Sequence, residues 1–287
     1  MRNIQLLDLN AITRMLQPAD YLEDDIYILE LSHWKFVNHP IKIDSTVCCL
    51  CLKGEAKGRI DLKPYHFKAP AFSIQVPEQI LEQEFVSDDF SGVCIIMSQR
   101  FCAGLALPDS FMTSMSVRNN PIIELNEYEL EAMMFYCETV QRVIHITDNP
   151  NRLQIVKHLT IAFFYGIGYN FHKREREQVL SKNDVLMQNF LQQVQRFHKK
   201  ERKVLFYADQ LCLSPKYLSL VVKNCSGKTA AEWIDEYVVL EAKVMLKSTN
   251  MTVQQISDDL NFPSQSFFGK FFKRLTNMSP KKYREEK

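Results

Sequence analysis

The last third of the chain, from about Ser181 to Lys287, contains a helix-turn-helix pattern, and this pattern is the strongest constraint on its fold. An apolar helix face over 207–211 leads to the turn Cys212-Leu213, and a second helix begins at Ser214-Pro215. Serine followed by proline favours a helix start, because the hydroxyl accepts a hydrogen bond from a free backbone N–H and proline has no N–H to satisfy. The segment therefore predicts a helical hairpin with a defined turn.

The same plan recurs roughly fifty residues later. An apolar face over 256–260 leads to the turn Asn261-Phe262, and the next helix begins at Ser264. Apolar positions of the two copies align at an offset of 49 before the turn and 50 after it, so the second turn is one residue longer. A lone hairpin of this kind is often ordinary core, whereas two hairpins in register predict paired helix-turn-helix motifs.

A single helix over about 229–247 is predicted between the two motifs. Thr229 with Glu232 forms a capping box at its start, and Thr252 with Gln255 forms another before the following helix. About nineteen residues at 1.5 Å each give a helix of about 28 Å. This length can hold two recognition helices near the spacing of adjacent major grooves, roughly 34 Å.

The charge of the chain is divided unevenly. Residues 182–287 contain 18 Lys and Arg against 11 Asp and Glu, a net charge of +7, whereas residues 1–181 carry −6. The nearly neutral whole, +1, thus hides a basic end. A basic end is expected of a module that displaces counterions from nucleic-acid phosphates.

The run from Leu260 to Lys273, LNFPSQSFFGKFFK, followed by Ser279-Pro280-Lys281-Lys282-Tyr283-Arg284, resembles the signature of the AraC/XylS family of bacterial transcription regulators. The resemblance covers about a hundred residues. Asn261 and Asn277 stand where the family usually has glycine. Asparagine also tolerates the left-handed backbone conformation, so both turns are expected to form.

The resemblance implies that residues early in the second helix of each motif face base edges. These are Lys216, Ser219 and Leu220 in the first motif, and Gln265, Ser266 and Lys270 in the second. Glutamine can pair with adenine and lysine with guanine, whereas leucine offers only apolar contact, so the first helix is predicted to be the poorer reader. Four lysines are candidates for phosphate contacts: Lys223, Lys228, Lys273 and Lys282.

Short strands separated by turn residues are predicted over 25–100, at 25–31, 47–52, 58–62, 71–76, 83–86 and 93–97. Placed ahead of such a DNA-binding segment, they resemble the cupin-like barrel that serves as the sensor of many AraC-type regulators. We expect a small organic effector inside it, contacted by Phe72, Ile74, Val76, Phe85 and Ile95. The alternative is that these side chains simply fill the interior. The seven histidines are scattered, so neither a metal nor another cofactor is predicted.

Two apolar helical stripes are predicted over 126–173. One contains Leu130, Met133, Cys137, Val140 and Ile144, and the other contains Leu153, Val156, Leu159, Phe163 and Ile167. They either pack on the barrel or form a homodimer, as proteins with this resemblance do. The charged stretch that runs from 173–177 through 181–183 is interpreted as a linker. The predicted fold class is α+β, with a sensor and dimerisation domain over 1–177 and an all-helical DNA-binding domain over 178–287.

The eight cysteines contain no C-x-x-C pair and are interpreted as reduced, mostly buried thiols. This spacing disfavours one alternative, a DNA-repair methyl acceptor with a zinc-activated thiolate, and no catalytic residue is predicted. A nonspecific architectural DNA binder is the other alternative. No membrane span or signal peptide is apparent, so a cytoplasmic protein is expected. The resemblance further implies double-stranded DNA and RNA polymerase as partners, and activation rather than repression.

Overall fold

The computed structural model describes residues 20–31, 37–42, 44–105, 121–177 and 181–286, with the backbone alone over 167–177. The described residues divide into two compact units, 20–177 and 181–286. Within the described ranges, the first unit combines antiparallel sheets with helices and the second is helical. The protein therefore combines α and β structure, as the sequence predicts. None of the described helices combines the length and apolar character of a membrane span.

The described part of the first unit contains ten strands in two antiparallel sheets. The strands are β1 Asp20–Leu22, β2 Ile26–Glu30, β3 Ile41–Lys42, β4 Thr46–Lys53, β5 Glu55–Ile60, β6 Lys63–Lys68, β7 Ala71–Gln75, β8 Ile80–Val86, β9 Ser91–Met97 and β10 Ile122–Glu124. One sheet has the order β1-β2-β9-β4-β7-β10 and the other has the order β3-β8-β5-β6. Neither sheet closes on itself among these strands, so the expectation of a cupin-like barrel is not confirmed.

All six predicted strand segments overlap strands, at β2, β4, β5, β7, β8 and β9, although the end of the segment 58–62 lies in the turn after β5. β6 was not predicted, because the segment between the predicted strands 58–62 and 71–76 contains prolines, which are typical of turns. Pro64 lies within β6, opposite Arg59 of β5, and β6 is the outer strand of its sheet. Proline lacks a donor for the hydrogen-bond ladder and is tolerated at such an edge. The other missed strands, β1, β3 and β10, contain only two or three residues, too few to show an alternating pattern.

The six-stranded sheet is buried on both faces. Along β4, Cys48 and Leu50 belong to one apolar core, whereas Val47 and Cys51 belong to cores on the opposite face. Because both faces exclude water, the run from Val47 to Leu52 is continuously apolar instead of alternating with polar residues.

The helices of this unit are α1 Gln99–Ala103, α2 Glu127–His145 and α3 Arg152–Glu177. Met133 and Val140 of α2 and Val156 of α3 share one apolar core with Leu50 and Ile95 of the six-stranded sheet. Both predicted stripes therefore pack on the sheet within the described residues, which is the packing alternative. Ile167 lies outside the described side chains.

The interpretation of this stretch as a linker is wrong at both of its described ends, because α3 continues through Glu177 and the next helix begins at Lys182. Residues 173–177 are lysine, arginine and glutamate, which are strong helix formers, and include no glycine or proline to end a helix. A run of charged residues therefore does not by itself mark a linker.

Seven helices occupy the described part of the second unit: α4 Lys182–Phe197, α5 Val204–Gln210, α6 Pro215–Ser226, α7 Ala230–Ser248, α8 Val253–Asp259, α9 Gln265–Thr276 and α10 Pro280–Glu285. The pairs α5–α6 and α8–α9 are the two predicted helix-turn-helix motifs, and α7 connects them. Both predicted capping boxes are confirmed, at Thr229 with Glu232 and at Thr252 with Gln255.

The turns form despite the two asparagines. Asn261 has a φ of 55° and Asn277, at the end of α9, a φ of 61°. At the equivalent end of α6, Gly227 has a φ of 74°. Each position adopts the left-handed conformation that asparagine tolerates better than other residues with a Cβ atom. The expectation drawn from the sequence is thus confirmed.

The connecting helix α7 lies largely inside the second unit. Met245 and Leu246 of α7 share an apolar core with Ile256 of α8, with Leu260 at the end of α8 and with Phe268 of α9, all nearly inaccessible to solvent. The second motif is therefore built directly onto the connecting helix, and its orientation relative to α7 is set by close packing.

Candidate functional site

The second helix of each motif is fixed by a serine at its start and by one buried face. Ser214 Oγ accepts a hydrogen bond from the Tyr217 N–H at the start of α6, and Ser264 Oγ accepts one from the Phe267 N–H at the start of α9. Leu218 of α6 and Phe268 of α9 are fully buried. The opposite face of each helix is open to solvent and available to a ligand.

In α6 the predicted base-reading residues lie near the first turn. Lys216 and Leu220 are exposed, Leu220 to 56%, and Ser219 is half-buried. Of these three residues only Lys216 carries a charged donor. Leu220 has no polar atom, and the neutral hydroxyl group of Ser219 belongs to a half-buried residue. The chemistry of this face is therefore mainly apolar, as the sequence analysis expected.

In α9 the predicted base-reading residues Gln265, Ser266 and Lys270 are all exposed. Gln265 is the first residue of the helix and Lys270 lies five residues later, so both are in its N-terminal half. Glutamine can bond adenine and lysine guanine in a major groove. This helix carries more hydrogen-bonding groups than α6.

Two exposed aromatic residues were missed by the sequence analysis. Tyr217 is 47% exposed and Phe267 is 63% exposed, and they occupy equivalent positions in the two motifs. Each precedes the buried anchor of its helix, Leu218 or Phe268, and a step of one residue turns a side chain by about 100° away from the buried face. A position next to a predicted buried anchor was therefore the sequence signal that could have identified both aromatic residues as exposed. Aromatic carbon can contact a thymine methyl group, so these residues belong to the candidate interface.

The four phosphate candidates differ in their surroundings. Lys223, Lys273 and Lys282 are exposed. Lys228, in contrast, is 2.7 Å from a carboxylate oxygen of Glu236, and its Nζ lies 5.1 Å from the Trp233 ring centroid. A phosphate at Lys228 would have to compete with that carboxylate, which makes it the weakest of the four candidates.

The segment 198–203, between α4 and α5, contacts both α7 and the second motif. Lys199 Nζ lies 2.8 Å from the buried carboxylate of Glu241 in α7 and 3.7 Å from Asp259 in α8. The Asn261 side-chain amide donates a hydrogen bond of 2.9 Å to the Lys200 carbonyl. Polar contacts therefore join the segment before the first motif to the second motif. These contacts add to the connection that α7 makes between the two motifs.

In the first unit, four of the five residues expected to contact an effector are buried: Phe72, Ile74, Val76 and Ile95. They lie between the six-stranded sheet and helices α2 and α3. Phe85 is different, being 45% exposed. The inward placement expected for it is wrong, because β8 pairs with β5 so that Phe85 lies opposite the partly exposed Lys57, whose Nζ is 5.6 Å from the Phe85 ring centroid. Opposed residues share one face of a sheet, and here that face is open to solvent.

A small cavity of about 10 Å³ lies in the layer between the sheet and the two helices. Phe72 and Ile95 line it together with Cys48, Tyr136 and Phe163. The Tyr136 hydroxyl is paired with Thr160 Oγ1 at 2.8 Å, and burial raises the pKa of this phenol above its ordinary value. A volume of this size holds about one water molecule, so this cavity has no room for an organic effector in the described conformation. In the described ranges no group of three or more His, Cys, Asp or Glu is arranged to hold a metal ion.

Part of the second unit matches a known domain family. A family model described as a helix-turn-helix domain matches residues 207–286. The arabinose operon regulatory protein of Escherichia coli is 31% identical over 77 residues, which cover 27% of this chain and 26% of that protein. The probable transcription factor PqrA of Proteus vulgaris is 30% identical over 83 residues, 29% of this chain and 68% of that protein.

A solved structure of ToxT from Vibrio cholerae, with an unsaturated fatty acid bound, is 17% identical and covers 91% of this chain and 93% of that one, with a TM-score of 0.44. The match to the E. coli arabinose regulator spans about a quarter of that regulator's length.

The second unit is thus a DNA-binding domain with two helix-turn-helix motifs. The chain belongs to the AraC/XylS family of transcription regulators. Its matched relatives are regulators and not enzymes, so the methyl-acceptor alternative is set aside.

Proposed function

We propose that this protein is a sequence-specific transcription regulator that reads two neighbouring major-groove sites. The observation that carries the proposal is the placement of two solvent-facing recognition helices, α6 and α9, at the two ends of one buried 19-residue connecting helix. A 19-residue helix is about 28 Å long, close to the spacing of adjacent major grooves. The net charge of +7 over 182–287 supports attraction to the phosphate backbone.

The two helices would read DNA unequally. Gln265, Ser266 and Lys270 in α9 offer hydrogen-bonding groups to base edges, whereas α6 presents Leu220 and Tyr217 beside Lys216. Hydrogen-bonded base contacts discriminate more strongly than apolar contacts. We therefore assign most of the sequence preference to α9. Contacts of α6 would add affinity and a preference for thymine.

The first unit would act as the sensor. Its candidate effector layer lies between the six-stranded sheet and helices α2 and α3, where the apolar residues are concentrated. Because the cavity holds about 10 Å³, an organic effector would bind by displacing these helices, without a metal, and would shift the population of conformations. Such a movement would change how the two reading helices meet their DNA sites.

We further propose that the protein forms a homodimer, recruits RNA polymerase and activates target genes in the bacterial cytoplasm. The stripes first considered for the dimer pack on the sheet, so we assign dimerisation to the outer face of α2. There Tyr128 is 81% exposed and Phe135 is 69% exposed. A dimer would double the number of DNA sites engaged and raise affinity through effective concentration.

Selection of bound sequences from a random double-stranded pool, with the full chain, tests the central proposal. The expected result is a motif with two blocks about one helical turn apart, the block contacted by α9 being the more sharply defined. Replacing Lys270 with alanine should blur that block and leave the other unchanged. Equal recovery of all sequences would instead identify a nonspecific architectural binder.

A further inference from the structure

Two cysteine thiols are in contact across neighbouring strands of the six-stranded sheet. Cys49 of β4 and Cys94 of β9 are directly opposed in an antiparallel pairing, and their Sγ atoms are 2.8 Å apart. Directly opposed residues of such a pairing have Cα atoms about 4.5 or 5.5 Å apart. Both values fall within the range of about 4.4 to 6.8 Å that a disulfide requires. The strands therefore present the two sulfurs at a separation that small side-chain rotations can close to a bond.

The other cysteines of β4 do not share this relationship. Cys48 is opposite Ile95 in the same pairing and lies on the reverse face, in the core shared with α2 and α3. Cys51 is opposite Gly92, and its Sγ is 3.4 Å from the Lys53 carbonyl oxygen. The contact between Cys49 and Cys94 is thus specific to one pair within a segment that contains three cysteines.

The two thiols differ in their access to solvent. Cys94 is 2% exposed, whereas Cys49 is half-buried and lies beside Phe90 between two apolar cores. The hydrogen bond with Cys49 and burial together raise the pKa of the Cys94 thiol, which keeps it protonated. An oxidant that enters from solvent reaches Cys49 first, and Cys94 is then held in place to react with the oxidised sulfur.

We propose that Cys49 and Cys94 form a reversible disulfide, which makes the first unit a site of modification by hydrogen peroxide. The Cys49 sulfur attacks one peroxide oxygen, the O–O bond breaks, and Cys49 sulfenic acid and water form. The Cys94 sulfur then attacks the sulfenic sulfur, the S–O bond breaks, and the Cys94 proton leaves with the hydroxyl group as a second water. Two thiols and one peroxide thus give one disulfide and two waters, and a dithiol reductant restores the thiols.

The bond would connect strands that also line the small cavity. Leu50 of β4 and Val93 and Ile95 of β9 contribute to its wall from the reverse face of the sheet. Residues adjacent to a closing bond move with it, so oxidation would alter the packing against α2 and α3. The proposal concerns the first unit alone and does not depend on the DNA-reading assignments.

The test uses the reduced full-length chain treated with hydrogen peroxide, alkylated, digested with trypsin without reduction, and analysed by mass spectrometry. We expect a peptide linking 43–53 to 69–100, lighter by two hydrogen atoms than the two parts together and released by dithiothreitol. The exposed thiols of Cys212 and Cys225 report in the same sample that the oxidant has reacted. Oxidised Cys212 or Cys225 together with separately alkylated Cys49 and Cys94 would overturn the proposal.

Variants assign the link within the peptide that contains three cysteines. Cys49→Ala and Cys94→Ala should each abolish the linked peptide, whereas Cys48→Ala and Cys51→Ala should retain it. A thermal melt of each reduced variant checks that the first unit is folded. Fragmentation of the linked wild-type peptide gives an assignment that depends on no substitution. A link through Cys48 or Cys51 in that spectrum would contradict the assigned pair.

Discussion

The guanidinium of Arg202 lies over the Phe262 ring, with its central carbon 3.7 Å from the ring centroid. The same group donates hydrogen bonds to the carbonyl oxygens of Leu260 and Asn261, the latter at 3.1 Å. Arg202 lies immediately before Lys203, the N-cap of α5 in the first motif. Phe262 lies in the turn of the second motif, after α8. The side chain of Arg202 therefore connects the segment before the first helix-turn-helix motif to the turn of the second motif.

Arg202→Ala is expected to destabilise the second unit by about 1 to 3 kcal/mol, because it removes a stacked cation and two hydrogen bonds to carbonyl groups. Arg202→Lys should recover only part of this loss, since an ammonium group lacks the planar fork. Urea denaturation of the full chain, followed through helix content, measures both. Lys203→Ala, an exposed neighbouring change, is the matched control. Equal unfolding midpoints for Arg202→Ala and the control would refute the role of Arg202.

Lys270→Ala should cost about 1 to 3 kcal/mol on the selected DNA site and relax the preference at one base position. Lys282→Ala should weaken binding to all sequences alike and lower the slope of log affinity against log salt by about one. Fluorescence titrations on specific and random duplexes at several salt concentrations separate the two effects. Equal losses on both duplexes for both variants would show that the division into base-reading and phosphate-contacting lysines is wrong.

The second unit was largely predictable because its signals are local. Ser214 with Pro215 and Thr229 with Glu232 mark helix starts through contacts within three residues, and the structure has these caps. Asn277 likewise ends α9 in the left-handed conformation, which its residue type tolerates. Local signals of this kind do not depend on which distant segment packs against them.

The first unit was less predictable because its outcome depends on contacts between distant segments. The apolar run of β4 does not reveal that one face would meet α2 and α3 and the other face another apolar core. Phe85 was expected inside because it is apolar and lies in a predicted strand, yet the register of β8 against β5 leaves it exposed. Likewise, the contact between Cys49 and Cys94 requires the pairing of strands whose residues are 45 positions apart in sequence.

Asp25 makes the stability of the first unit sensitive to acid. Burial alone would raise the pKa of this carboxyl group, but hydrogen bonds from Arg100 and Ser98 outweigh burial and hold the pKa below its ordinary value. Arg100 contacts both carboxylate oxygens, at 3.1 and 2.9 Å. A carboxyl group with a lowered pKa in the folded state stabilises the fold above its unfolded pKa, about 3.9, and this contribution is lost as the pH falls through the folded value.

Thermal melts of the full chain should therefore show the first unit losing stability as the pH falls below about 4. Asp25→Asn should lower stability at neutral pH and flatten this acid dependence. Asp88→Asn, in an exposed turn, is the matched control and should leave the acid dependence as in the wild type. An unchanged acid profile in Asp25→Asn would show that other groups govern it.

Two substitutions on the helices of the first unit separate packing from dimerisation. Phe163 stacks on Tyr136 with ring centroids 4.0 Å apart and contacts Phe72 edge-on at 5.8 Å, so Phe163→Glu places a charge in the layer between sheet and helices. A buried charge without a partner is strongly unfavourable, and this variant should unfold the first unit. Cys137→Glu, in the same core, should behave alike.

Phe135→Glu is the contrasting change, because Phe135 is 69% exposed on the outer face of α2. The fold should survive with a melting temperature near that of the wild type, since little buried contact is lost. If α2 forms the proposed dimer, sedimentation should show this variant as a folded monomer at concentrations where the wild type is dimeric, with weaker binding to paired DNA sites. Glu138→Gln, an exposed change on the same helix, controls for surface charge. A dimeric Phe135→Glu protein would place the interface elsewhere, and a monomeric wild type at micromolar concentration would remove the dimer from the proposal.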